Sequence, residues 1–224
     1  MYKTILFDLD GTLTDPRVGI VKGAQIALNA FGIEVENLDD LNWFIGPPLH
    51  QNFKENFGFD DEKTKEAVRI FREYYMPIGV YENDLYKGMD LLLQRLKSAG
   101  YRLLIATSKP EVLAREVLTH FNIIHNFEFI GGSELDGTRS NKAEVIRYAL
   151  DNAGVADLSS VVMVGDREYD IIGAKANGID SIGVLYGYGD IDELKNAGAT
   201  QIAATIKELE EMLLPKSNQS QPLL

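Results

Sequence analysis

From Gly88 to Leu185, short apolar runs alternate with stretches of helical spacing, and that alternation limits the possible folds more than any other feature of the chain. Met89, Leu92, Leu93 and Leu96 share one helical face, Gly100 closes that helix, and residues 102–107 follow as a buried strand. Pro110 opens the next helix, with Leu113, Val117 and Phe121 on one side. Strands over 127–131, 161–165 and 181–185 then alternate with helices over 142–153 and 171–177. With a first strand over 2–7, five strands spaced by helices predict an α/β fold built on a Rossmann-like parallel sheet. Residues 206–214 read as a closing helix and 215–224 as a polar, fraying tail.

The stretch between the first strand and Gly88 breaks the pattern. Ile20, Ala24, Ala27, Leu28 and Phe31 lie on one helical face that ends at Gly32, and helices are also expected over 49–57 and 61–75. Phe44-Ile45-Gly46-Pro47-Pro48-Leu49 is a turn, because its prolines cannot continue a helix. No strand is expected there, and the stretch is too long for a simple crossover. Residues 1–15 and 87–214 therefore read as one α/β core, and 16–86 as an inserted helical domain.

Composition narrows the function. The 224 residues are 45% apolar, contain no cysteine and carry a net charge of −12. A disulfide framework, a thiolate nucleophile and a cysteine zinc site are thereby excluded. The negative balance argues against a nucleic-acid polymer as partner, and no apolar run reaches the roughly 18 residues of a membrane span. A cytoplasmic protein acting on a small anionic molecule through a few placed cations is the expectation, as a monomer or homodimer.

The chemistry gathers at the expected strand ends. The first strand runs into Phe7-Asp8-Leu9-Asp10-Gly11-Thr12, where Asp8 and Asp10, two apart in extended backbone, project to the same side. Two carboxylates so placed require a cation or a shared proton. Thr107 ends its strand just before a helix, whose free N–H groups favour an anion, and Ser108 and Lys109 follow as helpers. Gly165 allows the chain to turn sharply before Asp166, and Asp170 stands one helical turn further on. Oxygen-only ligands point to Mg²⁺, and Lys142, at the start of its helix, is the expected fixed ammonium.

In this order and on these elements, Asp8-Leu-Asp10-Gly11-Thr12, Thr107, Lys142 and Gly165-Asp166-x-x-x-Asp170 resemble the four motifs of the haloacid dehalogenase superfamily of phosphatases. The inserted helices resemble that superfamily's cap domain. Ile45-Gly46-Pro47-Pro48-Leu49 and the run from Leu103 to Pro110 are most similar to its phosphoglycolate phosphatase branch, although Lys142 is followed by Ala143-Glu144 where that branch carries Lys-Pro-x-Pro. The resemblance implies that Asp8 attacks phosphorus to form an aspartyl-phosphate, and that Asp10 serves as acid and then base. It also implies Mg²⁺ on Asp8, the Asp10 backbone carbonyl and Asp166, with Thr107 and Lys142 on the phosphoryl oxygens and Asp170 supporting the metal or Lys142. The substrate is then a small phosphorylated metabolite such as phosphoglycolate or a nucleoside 5′-monophosphate. A β-phosphoglucomutase-like mutase and a receiver-like phosphorylation-regulated module are the rival readings, and the second fits poorly with an insert placed after the first strand.

Overall fold

The structure, a computed structural model, describes residues 2–214, so the expected tail over 215–224 lies outside it. In chain order its elements begin with β1 (Thr4–Phe7), β2 (Thr14–Asp15), α1 (Arg17–Ala30), α2 (Leu49–Phe57), α3 (Asp61–Tyr75) and β3 (Asp84–Leu85). They continue with α4 (Met89–Ser98), β4 (Arg102–Pro110), α5 (Glu111–His120), β5 (Phe129–Ser133), α6 (Lys142–Asn152) and β6 (Val161–Gly165). The chain closes with α7 (Glu168–Ala176), β7 (Asp180–Val184), α8 (Ile191–Ala197), β8 (Gln201–Ala203) and α9 (Ile206–Leu213).

Six parallel strands form the main sheet, in the order β5-β4-β1-β6-β7-β8. β1 is central, and all four of its residues are buried. Its side chains alternate between two apolar layers: Ile5 and Phe7 face one, and Leu6 packs in the other with Val145, Ile146, Ala149 and Ala174 of α6 and α7. Such burial on both faces is what continuous apolar strands require. After β1 the chain builds outward through β4 and β5, then returns to lay β6, β7 and β8 on the other side. The reversal opens a crevice beyond the carboxyl ends of β1 and β6, the place where α/β sheets bind ligands.

The predicted α/β class and the parallel sheet are present, with four differences in the strands. β4 runs on to Pro110 before α5 begins at Glu111, so Thr107 lies within the strand and not at the helix entry. β8 is a sixth strand, which at three residues is too short to show a period. β5 starts at Phe129, because Ile124–Asn126 form a single 3₁₀ turn and sheet pairing begins where the Glu128 N–H reaches the Leu103 carbonyl at 2.8 Å. The stretch expected to lack strands ends in one, since β2 and β3 pair as a two-residue antiparallel ribbon. That ribbon carries the chain into and out of the helices between Arg17 and Tyr75.

Those helices stand over the carboxyl edge of the sheet. Phe44, Phe53 and Phe71 of this region are buried in the same apolar cluster as Phe7 and Leu9 of the core. Phe44 and Phe53 meet edge-on at 5.3 Å, and Trp43 stacks on Phe44 at 4.5 Å, so these rings belong to packing. Among the described residues no helix is long and apolar enough to cross a membrane.

Candidate active site

Asp8 leaves the end of β1, Asp166 the end of β6 and Asp170 the first turn of α7, so three buried carboxylates converge in the crevice. One oxygen from each lies within 4.8 Å of the others. Lys142, at the start of α6, reaches in from beside them. Its Nζ is 2.8 Å from Asp8 Oδ1, 2.8 Å from Asp170 Oδ1 and 3.1 Å from the Ala106 carbonyl. One hydrogen bond and two close ion pairs thus place Lys142 as a positive charge beside the cluster. Burial disfavours that charge, but Asp170 and Asp8 outweigh it and hold the lysine protonated.

Asp166 is fully enclosed. Thr12 Oγ1 donates to its Oδ1 at 3.1 Å, and the Tyr188 N–H to its Oδ2 at 2.9 Å. Glycines make room for it: a Cβ at Gly11 would stand 2.2 Å from Asp166 Oδ2, and one at Gly187 would stand 2.4 Å from Asp166 Cβ. Gly11 also has φ +83°, which strains any other residue. Gly11→Ala is therefore expected to displace Asp166 and destabilise the fold by about 2 kcal/mol, measurable as a lowered denaturant midpoint together with weaker metal binding.

The acidic cluster outnumbers its lysine. Burial, then Asp170 and Asp8, raise the Asp166 carboxyl far above the usual carboxylate range. Burial likewise pushes Asp170 up to about 6, even against Lys142. Three converging oxygen donors with surplus negative charge, and no nitrogen or sulfur ligand, fit a small hard dication of the Mg²⁺ type.

Asp10 departs from the expected convergence. Its carboxylate does not join the three but pairs with Lys109, Nζ to Oδ2 at 2.5 Å, while its Oδ1 is buried with no hydrogen-bond partner. Its raised pKa is due first to burial, opposed by Lys109; the charge of Asp8 is a lesser contributor. The turn after it closes on the Leu9 and Thr14 carbonyls, and the Asp10 carboxylate is not part of the Asp8, Asp166 and Asp170 cluster.

The other expected residues lie near by. Thr107 is buried next to Ala106, the residue whose carbonyl Lys142 holds, and its Oγ1 accepts the Lys109 N–H at 3.3 Å. Ser108 accepts a 2.8 Å bond from Ser133 through its carbonyl and lines a cavity beside Asp10. That cavity lies between the sheet edge and the helices above it, where Phe44, Pro47, Leu49, His50, Arg72 and Tyr75 form its far wall. Lys109 stands 5.1 Å from the Tyr75 ring centroid. His50 thus faces the cavity, whereas His120 packs on Tyr81 and Phe121, and the His125 carbonyl takes a bond from Lys97. Arg17 and Lys22 are paired with Asp39 and Glu82 and do not line the cavity.

The fold with this constellation agrees with the comparisons. Residues 5–184 match the family model of the haloacid dehalogenase-like hydrolases. The chain belongs to this family. It is 47% identical to a 5′-nucleotidase of Pseudomonas aeruginosa over 95% of this chain and 96% of that protein. It is also 31% identical to a phosphoglycolate phosphatase of Colwellia psychrerythraea, covering 92% and 95% of the two chains. A solved predicted phosphatase from Clostridium acetobutylicum superposes with a TM-score of 0.93 at 46% identity, covering 95% of this chain and 98% of its own.

Sequence reasoning missed the loop after β7. Tyr186-Gly187-Tyr188-Gly189 wraps Asp166 through the Tyr188 N–H, and the Tyr188 hydroxyl bonds to Asp15 in the ribbon. Alternating glycines directly after an apolar strand were the available signal.

Proposed function

We propose that this hydrolase is a Mg²⁺-dependent phosphatase of small phosphate monoesters that works through an aspartyl-phosphate on Asp8. The observation carrying the proposal is the bonding of Asp8. The Leu9 N–H at 2.7 Å and Lys142 at 2.8 Å both fall on Oδ1, so Oδ2 is left to attack. Mg²⁺ held by Asp8, Asp166 and the Asp10 carbonyl, with Asp170 beside it, would supply charge neutralisation for two approaching anions.

The chain's own groups perform the rest. Asp8 Oδ2 forms a bond to phosphorus as the ester P–O bond breaks, and Asp10, in the protonated form that burial favours and Lys109 opposes, gives its proton to the leaving oxygen. A water then attacks phosphorus and releases Asp8, passing its proton back to Asp10. Lys109 holds Asp10 towards the cavity, Thr107 donates to a phosphoryl oxygen, and Lys142 acts as a fixed positive charge behind Asp8. Residues 16–86 serve as a cap that excludes bulk water, moving on the β2–β3 ribbon.

The leaving group is read by the cap wall. Arg72 is half-buried there, burial lowers its pKa, and Asp136 is the charge that supports it. No ion pair of Arg72 is found among the described residues, so an anionic end on the leaving group is favoured, as in phosphoglycolate. Arg72→Gln is expected to raise KM for phosphoglycolate about tenfold and to leave that for ethyl phosphate within about twofold. The 47%-identical 5′-nucleotidase favours a second reading, a nucleoside 5′-monophosphate as substrate.

Phosphate release from phosphoglycolate, nucleoside 5′-monophosphates and sugar phosphates, with Mg²⁺ or EDTA, tests both readings. Metal-dependent release supports the proposal and the best ester chooses between them. Isomerisation of a sugar phosphate without release would favour the mutase instead.

A further inference from the structure

We propose that Arg167 is a positioning residue that latches the cap turn over the active site, a role that rests on the phosphatase reading above. Arg167 directly follows Asp166, yet its side chain points out of the carboxylate cluster. Nε donates to Glu193 Oε1 at 2.8 Å, and the Glu168 N–H meets that same oxygen at 2.8 Å, so the guanidinium is aimed by a fixed carboxylate. Nη1 then crosses to the Ile45 carbonyl at 2.8 Å. A charged donor on a carbonyl is among the stronger hydrogen bonds, and this one is largely shielded from water, the arginine side chain being 16% exposed.

The turn it holds forms part of the cavity wall. Gly46, Pro47, Pro48 and Leu49 face the space that also contains Asp10 and Lys109. Asn52 of α2 braces this turn from within the cap, bonding to the Phe44 carbonyl at 3.1 Å. The Ile45 carbonyl between those braced positions takes its partner from the core. Any movement of the cap away from the sheet costs this buried carbonyl its donor. Gly46, at φ +109°, permits the approach: a Cβ there would stand 3.2 Å from Arg167 Cγ and Nη1. One loop thus carries the metal-site carboxylate and, one residue later, the latch, so placing the leaving group is coupled to the Asp166 loop.

The test uses the Mg²⁺-loaded full chain, with Arg167→Met and Arg167→Lys. Two esters serve as probes: p-nitrophenyl phosphate, with a large aryl leaving group, and methyl phosphate, with the smallest alkyl one. The latch predicts that Arg167→Met raises KM for the aryl ester about tenfold, with kcat for methyl phosphate within about twofold and partial recovery in Arg167→Lys. An equal fall in kcat for both esters would overturn it, since mere support of Asp166 acts on every substrate. Hydrogen exchange of residues 41–57 tests the latch without turnover. About tenfold faster exchange there, with β1 and β6 unchanged, supports it, and unchanged exchange overturns it. If the parent protein released no phosphate, the phosphatase reading would fail while exchange still decided the latch.

Discussion

Asp8→Asn is expected to lower phosphate release by about 10⁴-fold or more with the fold retained. The amide keeps an oxygen where Asp8 Oδ1 accepts from the Leu9 N–H and faces Lys142, so the geometry of the strand end is preserved. It removes one negative charge from a crowded cluster, and Lys142 keeps Asp170 at 2.8 Å, so the melting temperature should not fall. What is lost is the nucleophile, because a neutral amide does not attack phosphorus. Asp10→Asn makes the contrast. Turnover of alkyl esters falls because the proton donor is gone, and stability falls by about 3 kcal/mol as well, since Lys109 is left buried without its anion. Phosphate release and thermal melts on both variants separate the two roles. Full activity in Asp8→Asn would mean that the wrong carboxylate has been placed at phosphorus.

Lys142→Ala carries the second large effect. The lysine side chain is 5% exposed and stands against Asp8, itself 7% exposed, and the wholly buried Asp170. Removing it leaves three buried carboxylates within 4.8 Å of one another and no ammonium among them. In EDTA the variant is expected to lose about 3–5 kcal/mol. Mg²⁺ should recover part of that loss, because an ion that binds only the folded chain stabilises it. Melts with and without Mg²⁺ are then predicted to differ more in the variant than in the parent. An equal Mg²⁺ response in the two would show that the ion does not share this cluster with Lys142.

Much of this fold is legible in the sequence because its strands are buried on both faces. Leu103 to Ala106 and Val161 to Val164 read as strands for the same reason that they are inaccessible in the structure. β2, β3 and β8 lack the two or more side-chain alternations that periodicity needs. α8 likewise escapes notice, since of its seven residues only Leu194 is buried. In the site, Thr107, expected at a strand's end, lies within β4, whereas the placing of Asp8 and Asp166 just beyond the ends of β1 and β6 and of Lys142 at the start of α6 follows from motif order. The direction of the Asp10 carboxylate does not, because it is decided by Lys109 at the far end of β4, 99 residues away in sequence. The same holds for Lys142: the sequence shows an ammonium near the cluster but not that it also donates to the Ala106 carbonyl. Arg167 looks like an ordinary helix-entry residue until the fold brings Ile45 to it.

The central claim is covalent chemistry at Asp8, and the most direct measurement is acid quenching of the Mg²⁺-loaded protein during turnover of its best ester. Borohydride reduction and peptide mass analysis then locate any acyl phosphate. The account predicts an acyl phosphate on the peptide containing Asp8, reduced at residue 8 and absent in Asp8→Asn. Phosphate release with no phosphoprotein at any quench time, or a label on Asp10 or His50 instead, would contradict it.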